Sequence, residues 1–239
     1  MSRGFYLGAY WKNRPESPEA CTQHLVAFLQ QLRTYDPIFS RWFQKGRSLA
    51  EALKKEVALT EESLLPIVRK GVNRRDFDHQ PIPELGFAIY LWAPVSGEDA
   101  IRLDVDCGCY GAYTGNNCIL DFPTEPAVAS RLLQVDRLIE LFRLVIASWD
   151  PEWGTVVSPA LQDAVPVPVR QMWPGWLTYL SSRKGRLTTV SPPARIVPID
   201  GHGQLIVAMD ELPSPENPTH VEQLVRVREA LRAGKLIKG

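Results

Sequence analysis

The chain has 239 residues, and its 27 Lys and Arg residues balance 27 Asp and Glu residues, which gives a formal net charge of zero. This length allows a large core, and 45% hydrophobic with 23% charged residues is ordinary for a globular protein. Zero net charge argues against a general nucleic-acid-binding or membrane-surface protein, because such proteins carry a basic excess. Four cysteines are too few for disulfide bonds to stabilise a chain of this size, which indicates a reducing compartment.

The zero net charge conceals a segregation of charge along the sequence. Residues 1–80 hold 13 basic and 9 acidic residues, residues 81–163 hold 4 and 12, and residues 164–239 hold 10 and 6. The three parts therefore carry formal charges of +4, −8 and +4. An acidic middle third suggests recognition of a basic partner, although it does not determine the fold.

The first third is predicted to begin with a strand and to continue as helices. Gly4–Trp11 is rich in aromatic residues, which favours a strand. Residues that can cap the start of a helix stand at Ser17, Ser48 and Thr60. A further short helix is predicted to start at Asp36-Pro37, to continue through Phe39, Trp42 and Phe43, and to stop near Gly46. The N-terminal third is therefore predicted to be mostly helical.

The middle of the chain is predicted to form three strands and a long helix. Gly86–Ala93 and Ala100–Cys107 are separated by a loop that suits a hairpin, and Cys118–Phe122 is the third strand. From Ile101 to Cys109, hydrophobic and polar residues alternate, as in a strand with one buried face. The long helix is expected from Pro126 to Trp149.

The end of the chain is predicted to form a hairpin and a closing helix. Arg195–Ile199 and Gln204–Met209 flank a Gly-rich turn, and the helix is expected from about Pro218 to Ala233. Runs of strands and runs of helices favour an α+β fold, with helices packed on an antiparallel sheet. We predict a single α+β domain over residues 1–239.

Neither a secretory signal nor a membrane span is visible in the sequence. The uncharged segment near the N-terminus is too short for a signal sequence, and no run reaches the roughly 18 apolar residues of a spanning helix. We therefore expect a cytoplasmic protein that does not associate with membranes.

The residues suited to bind metal do not form a convincing site. Cys107, Cys109 and Cys118 could be zinc ligands, but the one-residue gap places the first two on the buried face of a strand, where they fit as core residues. Asp76, Asp78 and His79 resemble a fragment of a metal site, although their surroundings favour a solvated loop. We expect no metal and no other cofactor.

The sequence also lacks the motifs of common enzymes. No Lys occurs between Lys70 and Lys184, which removes the usual cation partner of a restriction-type nuclease site near Asp104 and Asp106. There is no phosphate-binding loop, no dinucleotide fingerprint and no nucleophile elbow, and the four histidines are scattered. We therefore predict that the protein is not an enzyme and has no catalytic residues.

A partner-binding face is predicted on the strand pair of the middle third. In a hairpin, Tyr90 and Trp92 share the face of the sheet opposite to Ile89 and Leu91. If this face coincides with the polar face of the next strand, aromatic rings lie beside charged groups, a composition suited to docking a basic protein. The predicted contact residues are Tyr90, Trp92, Arg102, Asp104 and Asp106. In the alternative, the helix predicted at 126–149 covers the two aromatic residues as core.

Four segments resemble the immunity protein 52 family of bacterial polymorphic-toxin systems. They are GFYLGAYW at 4–11, DPIFSRWFQKGRSLAEAL at 36–53, DPEWG at 150–154 and WPGWLTYLS at 173–181. The resemblance extends from about residue 4 to residue 210. It implies a cognate immunity protein that binds and silences a restriction-endonuclease-like nuclease (DNase) toxin of its own producer, often one delivered by type VI secretion. A Pseudomonas DNase effector is one such partner, and no direct contact with nucleic acid is implied.

Two other functions stay open at this point. The first is a metal-dependent hydrolase that uses Asp76, Asp78 and His79. The second is a general adaptor with several protein partners instead of one. The sequence leaves open the oligomeric state, and whether a toxin would be inhibited by occlusion of its active site or by binding elsewhere.

Overall fold

The computed structural model of the protein describes residues 4–97, 99–165, 167 and 171–237. Within these residues, ten strands form one antiparallel sheet in the order β3-β2-β4-β5-β6-β1-β7-β8-β10-β9. The strands are β1 (Tyr6–Trp11), β2 (Trp42–Gln44), β3 (Glu56–Val57), β4 (Phe87–Ser96), β5 (Asp99–Cys107), β6 (Asn116–Asp121), β7 (Trp153–Val157), β8 (Leu177–Ser181), β9 (Arg195–Ile199) and β10 (Gly203–Val207).

The helices account for the α part of this α+β fold. They are α1 (Pro18–Tyr35), α2 (Leu49–Ala52), α3 (Glu61–Lys70), α4 (Pro126–Leu132), α5 (Val135–Trp149), α6 (Pro159–Ala164) and α7 (Pro218–Ala233), with 3₁₀ turns at Pro37–Phe39, Pro83–Leu85 and Ser182–Lys184. The side chains of Ser17, Ser48 and Thr60 accept hydrogen bonds from the first turns of α1, α2 and α3, as the sequence predicts.

One face of the sheet carries the main hydrophobic core. Leu7, Leu120, Leu103 and Leu91 are aligned across β1, β6, β5 and β4, and each is at most 2% exposed. Helix α5 packs on this face, since Trp149 stacks on Trp11 of β1 with ring centres 5.5 Å apart. The opposite face of β4, β5 and β6 is therefore turned away from α5.

The prediction of a mostly helical N-terminal third is wrong. The first described element is a strand, β1, at the position predicted for one, and it lies in the interior of the sheet between β6 and β7. Two further strands, β2 and β3, follow within the first 57 residues. Helices α1, α2 and α3 together cover less than half of the first 80 residues.

The error lies chiefly at β2, which the sequence predicts as part of a helix. Asp36 caps only a 3₁₀ turn, and the chain then extends so that Phe43 pairs with Trp92 of β4. The Nε1 of Trp42 donates to the carbonyl of Phe39, so the helical spacing of these aromatic residues reflects a turn followed by a strand. Pairing with a strand distant in sequence has overridden the local periodicity.

Three further elements, β7, α6 and β8, have no predicted counterpart, whereas the predicted elements after the first third differ from the structure mainly at their boundaries. The helix predicted from Pro126 to Trp149 is divided into α4 and α5 between Leu132 and Val135. The hairpin of the middle third extends to Ser96 and resumes at Asp99, and the C-terminal hairpin and α7 lie at the predicted positions.

Candidate partner-binding face

The five predicted contact residues lie on one face of the β4–β5 hairpin. Tyr90 is directly opposite Asp104, and Trp92 is directly opposite Arg102. Asp106 is two residues beyond Asp104 and therefore shares its face. This surface, formed by the side chains that point away from α5 on β4, β5 and β6, is called the outer face below.

The outer face continues onto β6 with polar side chains. Arg102 is opposite Asp121, and Asp106 is opposite Asn117. The Nδ2 of Asn117 donates a hydrogen bond of 2.7 Å to Oδ2 of Asp106. Three carboxylates, those of Asp104, Asp106 and Asp121, thus lie on two adjacent strands.

Two aromatic side chains on β4 border these carboxylates. Tyr90 is 45% exposed, which is high for a large aromatic residue. Trp92 is half-buried, because its Nε1 donates to the carbonyl of Gln44 at 3.1 Å and its ring lies 5.4 Å from that of Phe43. Since α5 packs on the other face, the alternative in which that helix covers Tyr90 and Trp92 does not hold.

The β1 end of the outer face is closed by packed side chains. Tyr10 stacks on Trp153 with ring centres 4.3 Å apart. Its ring lies over Gly8, where a Cβ would come within 2.5 Å of the Tyr10 hydroxyl. Beside it, Gln162 of α6 donates to the Tyr6 hydroxyl at 3.0 Å. The accessible part of the outer face is therefore concentrated on β4, β5 and β6.

Asp104 is a half-buried carboxyl with acidic neighbours. Burial raises the pKa of Asp104 above its ordinary value, and the charges of Asp121 and Asp106 raise it further. Lys45 and Arg102 lower the pKa without cancelling the increase. The ionised form of Asp104 is therefore incompletely compensated by the positive charges around it.

Lys45 brings a positive charge onto the outer face from the end of β2. Its Nζ lies 4.1 Å from the centre of the Tyr90 ring, within the range of a cation–π interaction. The lysine side chain is itself exposed to solvent.

A groove of about 630 Å³ lies between α2 and the outer face. Leu49 and Ala52 of α2 line one side, whereas Trp92, Arg102 and Asp104 line the other. Leu49 is 47% exposed, so the rim of the groove on the α2 side is apolar. The groove thus combines apolar, aromatic and charged surface, as the centres of protein–protein interfaces commonly do.

Much of the acidic charge of the middle third is paired elsewhere in the fold. Asp150 and Glu152 form ion pairs with Arg183 and Lys184 of the basic last third, at 2.9 Å and 3.1 Å. Asp99 accepts hydrogen bonds from the backbone N–H groups of Thr124 and Glu125. The formal charge of −8 therefore overstates the acidity of any one surface, and β5 and β6 retain a local group of carboxylates.

The other candidate residues are engaged in local structure. Asp76, Asp78 and His79 are exposed, and Asp78 accepts from the backbone of Gln80 and pairs with Arg75 at 3.6 Å. The three candidate zinc ligands are buried thiols, and burial raises the pKa of Cys109 to about 11. Among the described residues, no three His, Cys, Asp or Glu side chains are grouped as metal ligands would be.

Sequence reasoning missed Asp121, Asn117 and Lys45 as residues of this face. The first two could have been found, because Asn117, Ile119 and Asp121 alternate with buried residues along β6 as the predicted residues do along β5. Lys45 could not, since its position depends on β2 pairing with β4, a segment that the sequence predicts to be helical.

Comparison with known proteins gives a family and a fold. The family model described as immunity protein 52 matches residues 3–239. The solved structure of the Pseudomonas aeruginosa T6SS protein PA0821 is similar with a TM-score of 0.53 at 13% identity, over 95% of this chain and 75% of that chain. At this identity the similarity concerns the fold alone. A search of curated proteins found no match. In the described part of the chain, no helix has the length and apolarity needed to cross a membrane.

Proposed function

The chain belongs to the immunity protein 52 family, and on this basis we propose that it binds a cognate nuclease (DNase) toxin through the outer face and so protects its producer. Membership of the family implies an immunity function in a polymorphic-toxin system, exercised by a non-enzymatic inhibitor. The proposal includes four points: the toxin is a nuclease, the outer face makes the contact, the chain acts as a single domain, and it acts in the cytoplasm.

The observation that carries the proposal is the pairing of exposed aromatic surface with carboxylates on one open sheet face. Tyr90 and Trp92 provide large rigid contact area, as the anchor residues of interfaces commonly do. Asp104 and Asp106 provide negative charge beside them. Such a surface suits a partner that presents basic residues around an apolar patch.

The charge of this surface supports the proposal that the toxin is a nuclease. An enzyme that cleaves DNA needs a basic cleft to hold the phosphate backbone. Carboxylates on the outer face are complementary to such a cleft, and they would accelerate association by electrostatic steering. A bound immunity protein would then compete with DNA for the same positive charges.

Binding to the toxin encoded beside this chain's gene tests the proposal directly. We expect the two purified proteins to form a stable complex, and we expect the complex to lose the DNA cleavage that the free toxin shows. Replacing both Asp104 and Asp106 by Lys should weaken binding by at least about tenfold at low salt, because it reverses the charge at the centre of the surface. Isothermal titration calorimetry and a plasmid cleavage assay measure the two effects.

A matched control separates the effect of charge on the outer face from the effect of the change in net charge. Replacement of Asp163 and Asp200 by Lys changes the net charge equally at exposed positions on α6 and on the β9–β10 turn. This control should bind the toxin nearly as the unaltered protein does. Equal affinities for the two double variants at low salt would reject the outer face as the contact surface. A toxin that binds but cleaves no DNA would reject the nuclease assignment and leave the immunity function intact.

A further inference from the structure

The outer face holds a positive charge of its own at the place where a basic partner would dock. Lys45 extends from the end of β2 with its Nζ 4.1 Å from the Tyr90 ring centre. It lies at the edge of the groove that Trp92 and Asp104 line, and its charge acts on Asp104. A ring and a carboxylate on adjacent strands thus share one cation supplied by the chain itself.

We propose that Lys45 occupies, in the free protein, the place that a basic side chain of the toxin takes in the complex. This inference rests on the proposed function and adds to it the chemistry of the central contact. An Arg or Lys side chain of the toxin replaces Lys45 over Tyr90 at the edge of the groove, contacts Trp92 in the groove, and has Asp104 as its counter-charge. Lys45 swings away into solvent as this happens.

The geometry makes Lys45 easy to displace. Its side chain is exposed and lies just beyond the end of β2, so the ammonium can return to water without disturbing the sheet. A cation–π contact at an exposed site is weak, because water competes for the ammonium. Trp92 is held in place by contrast, because its Nε1 donates a hydrogen bond to the carbonyl of Gln44.

An incoming guanidinium can satisfy the site better than Lys45 does. It is planar, so it can stack on an aromatic ring while it donates two hydrogen bonds to a carboxylate. The groove of about 630 Å³ has room for such a side chain between α2 and the sheet. Burial first, and then the charges of Asp121 and Asp106, keep the pKa of Asp104 raised in the free protein despite Lys45 and Arg102, so a better-placed cation would favour its ionised form.

Lys45 thereby makes binding depend on how much positive charge the partner presents to the groove. A toxin must bring enough positive charge to replace the lysine, whereas a weakly basic surface gains nothing from docking there. Removing the ammonium should reduce this requirement and strengthen binding. A lysine that contacts the toxin directly would give the opposite result.

A small cation tests the inference without the toxin. N-acetyl-arginine amide is titrated into the ¹⁵N-labelled protein, and the indole N–H signal of Trp92 reports occupation of the groove. The variants are Lys45→Met, which keeps the length of the side chain without its charge, and Lys70→Met, which makes the same charge change at an exposed position on α3. We expect the Trp92 signal to shift at about two- to fivefold lower probe concentration in K45M than in K70M.

The toxin is then measured against the same variants. K45M should bind it more tightly than the unaltered protein by a similar factor at low salt, and K70M should bind it as the unaltered protein does. Equal half-saturation of the two variants by the probe, or weaker toxin binding by K45M, would overturn the inference. If the unaltered protein does not bind the toxin at all, the proposed function fails, and the probe titration still decides whether Lys45 occupies a cation site.

Discussion

Tyr90 lies directly opposite Asp104 across β4 and β5, so an exposed ring and a half-buried carboxylate form one cross-strand pair. Side chains so placed on neighbouring strands are in mutual contact range. Burial raises the pKa of both Asp104 and Tyr90, and the negative charges of Asp106 and Asp104 raise the pKa of Tyr90 further. Tyrosine is neutral at pH 7 in any case, so of these two pKa shifts only that of Asp104 bears on stability at neutral pH, where it disfavours the ionised carboxylate.

Replacing Asp104 by Asn should therefore stabilise the protein at neutral pH. A carboxyl whose pKa is raised by folding contributes stability below its unfolded pKa, and this contribution is lost as the pH rises through the folded pKa. Asn does not ionise, so D104N avoids the loss. We expect the free energy of unfolding to rise by no more than about 1 kcal/mol at pH 7, since solvent screens a half-exposed group.

Urea denaturation of D104N and the unaltered protein measures this difference. The extra stability of D104N should shrink as the pH is lowered. It should vanish below pH 3.8, the ordinary pKa of an aspartate side chain, because Asp104 is then as neutral as the Asn that replaces it. D163N serves as the control, because Asp163 is exposed on α6. A loss of stability in D104N at pH 7 would show that the carboxylate contributes to the fold.

Gly8 and Tyr10 should be strongly coupled in their effects on stability. A Cβ at residue 8 would come within 2.5 Å of the Tyr10 hydroxyl, so G8A must displace the ring from its stack on Trp153. We expect G8A to lower the free energy of unfolding by about 1–3 kcal/mol. In a Y10A background, where the obstructing ring is gone, the same change should cost less than half as much.

A double-mutant cycle by chemical denaturation gives the coupling energy between these positions. Equal costs of G8A in the two backgrounds would mean that the backbone of β1 itself requires glycine. That result would remove Tyr10 as the reason for the glycine.

The sequence predicts the outer face more successfully than the elements around it. Alternation along β5 separates Asp104 from its buried neighbours without any knowledge of the partner strands, because a period of two is a local property. The pairing of Trp42–Gln44 with β4 depends on residues almost fifty positions away, and no local pattern reports it. For the same reason Lys45 and the groove beside α2 emerge only from the structure.

The distribution of charge along the sequence locates the acidic region but does not give the charge of a surface. Counting residues by thirds identifies the acidic region that contains Asp104 and Asp106. It cannot show that Arg183 and Lys184 return from the last third to pair with Asp150 and Glu152. Ion pairs between distant segments redistribute formal charge, so a count along the chain gives only an upper limit for the acidity of a surface.

Asp36 should be among the carboxylates that matter most for stability. It is only 3% exposed, and it accepts from Arg131 and Arg137 at 3.1 Å each and from the backbone of Ile38 at 3.0 Å. Asp36→Ala removes an acceptor that these three donors share, and because both arginines can still reach water we expect a loss of about 2–3 kcal/mol in the free energy of unfolding. Thermal and urea denaturation measure this loss.

The control for this change is D210A. Asp210 pairs with Arg195 at 3.1 Å, but its side chain is 76% exposed, so its removal should cost less than about 1 kcal/mol. Losses of similar size in D36A and D210A would contradict the assignment of Asp36 as a buried ionic centre that ties the 3₁₀ turn after α1 to α4 and α5.

The affinity for the proposed toxin should increase as the pH rises through the pKa of Asp104. A basic side chain docked beside this carboxyl lowers its pKa, so complex formation releases a proton from molecules in which Asp104 is protonated. Binding is then weakest below the pKa of the complex and reaches its full strength above that of the free protein. Each unit between the two values contributes up to a tenfold change in Kd.

Calorimetric titrations with the toxin between about pH 4 and pH 7, in buffers of different ionisation enthalpy, give both the affinity and the number of protons released. D104N should bind more weakly at pH 7, and its affinity should vary less with pH than that of the unaltered protein. D163N should retain the full pH dependence. Identical profiles for D104N and the unaltered protein would show that Asp104 does not face the bound cation. Asn cannot ionise, so D104N would remove any proton release that came from Asp104.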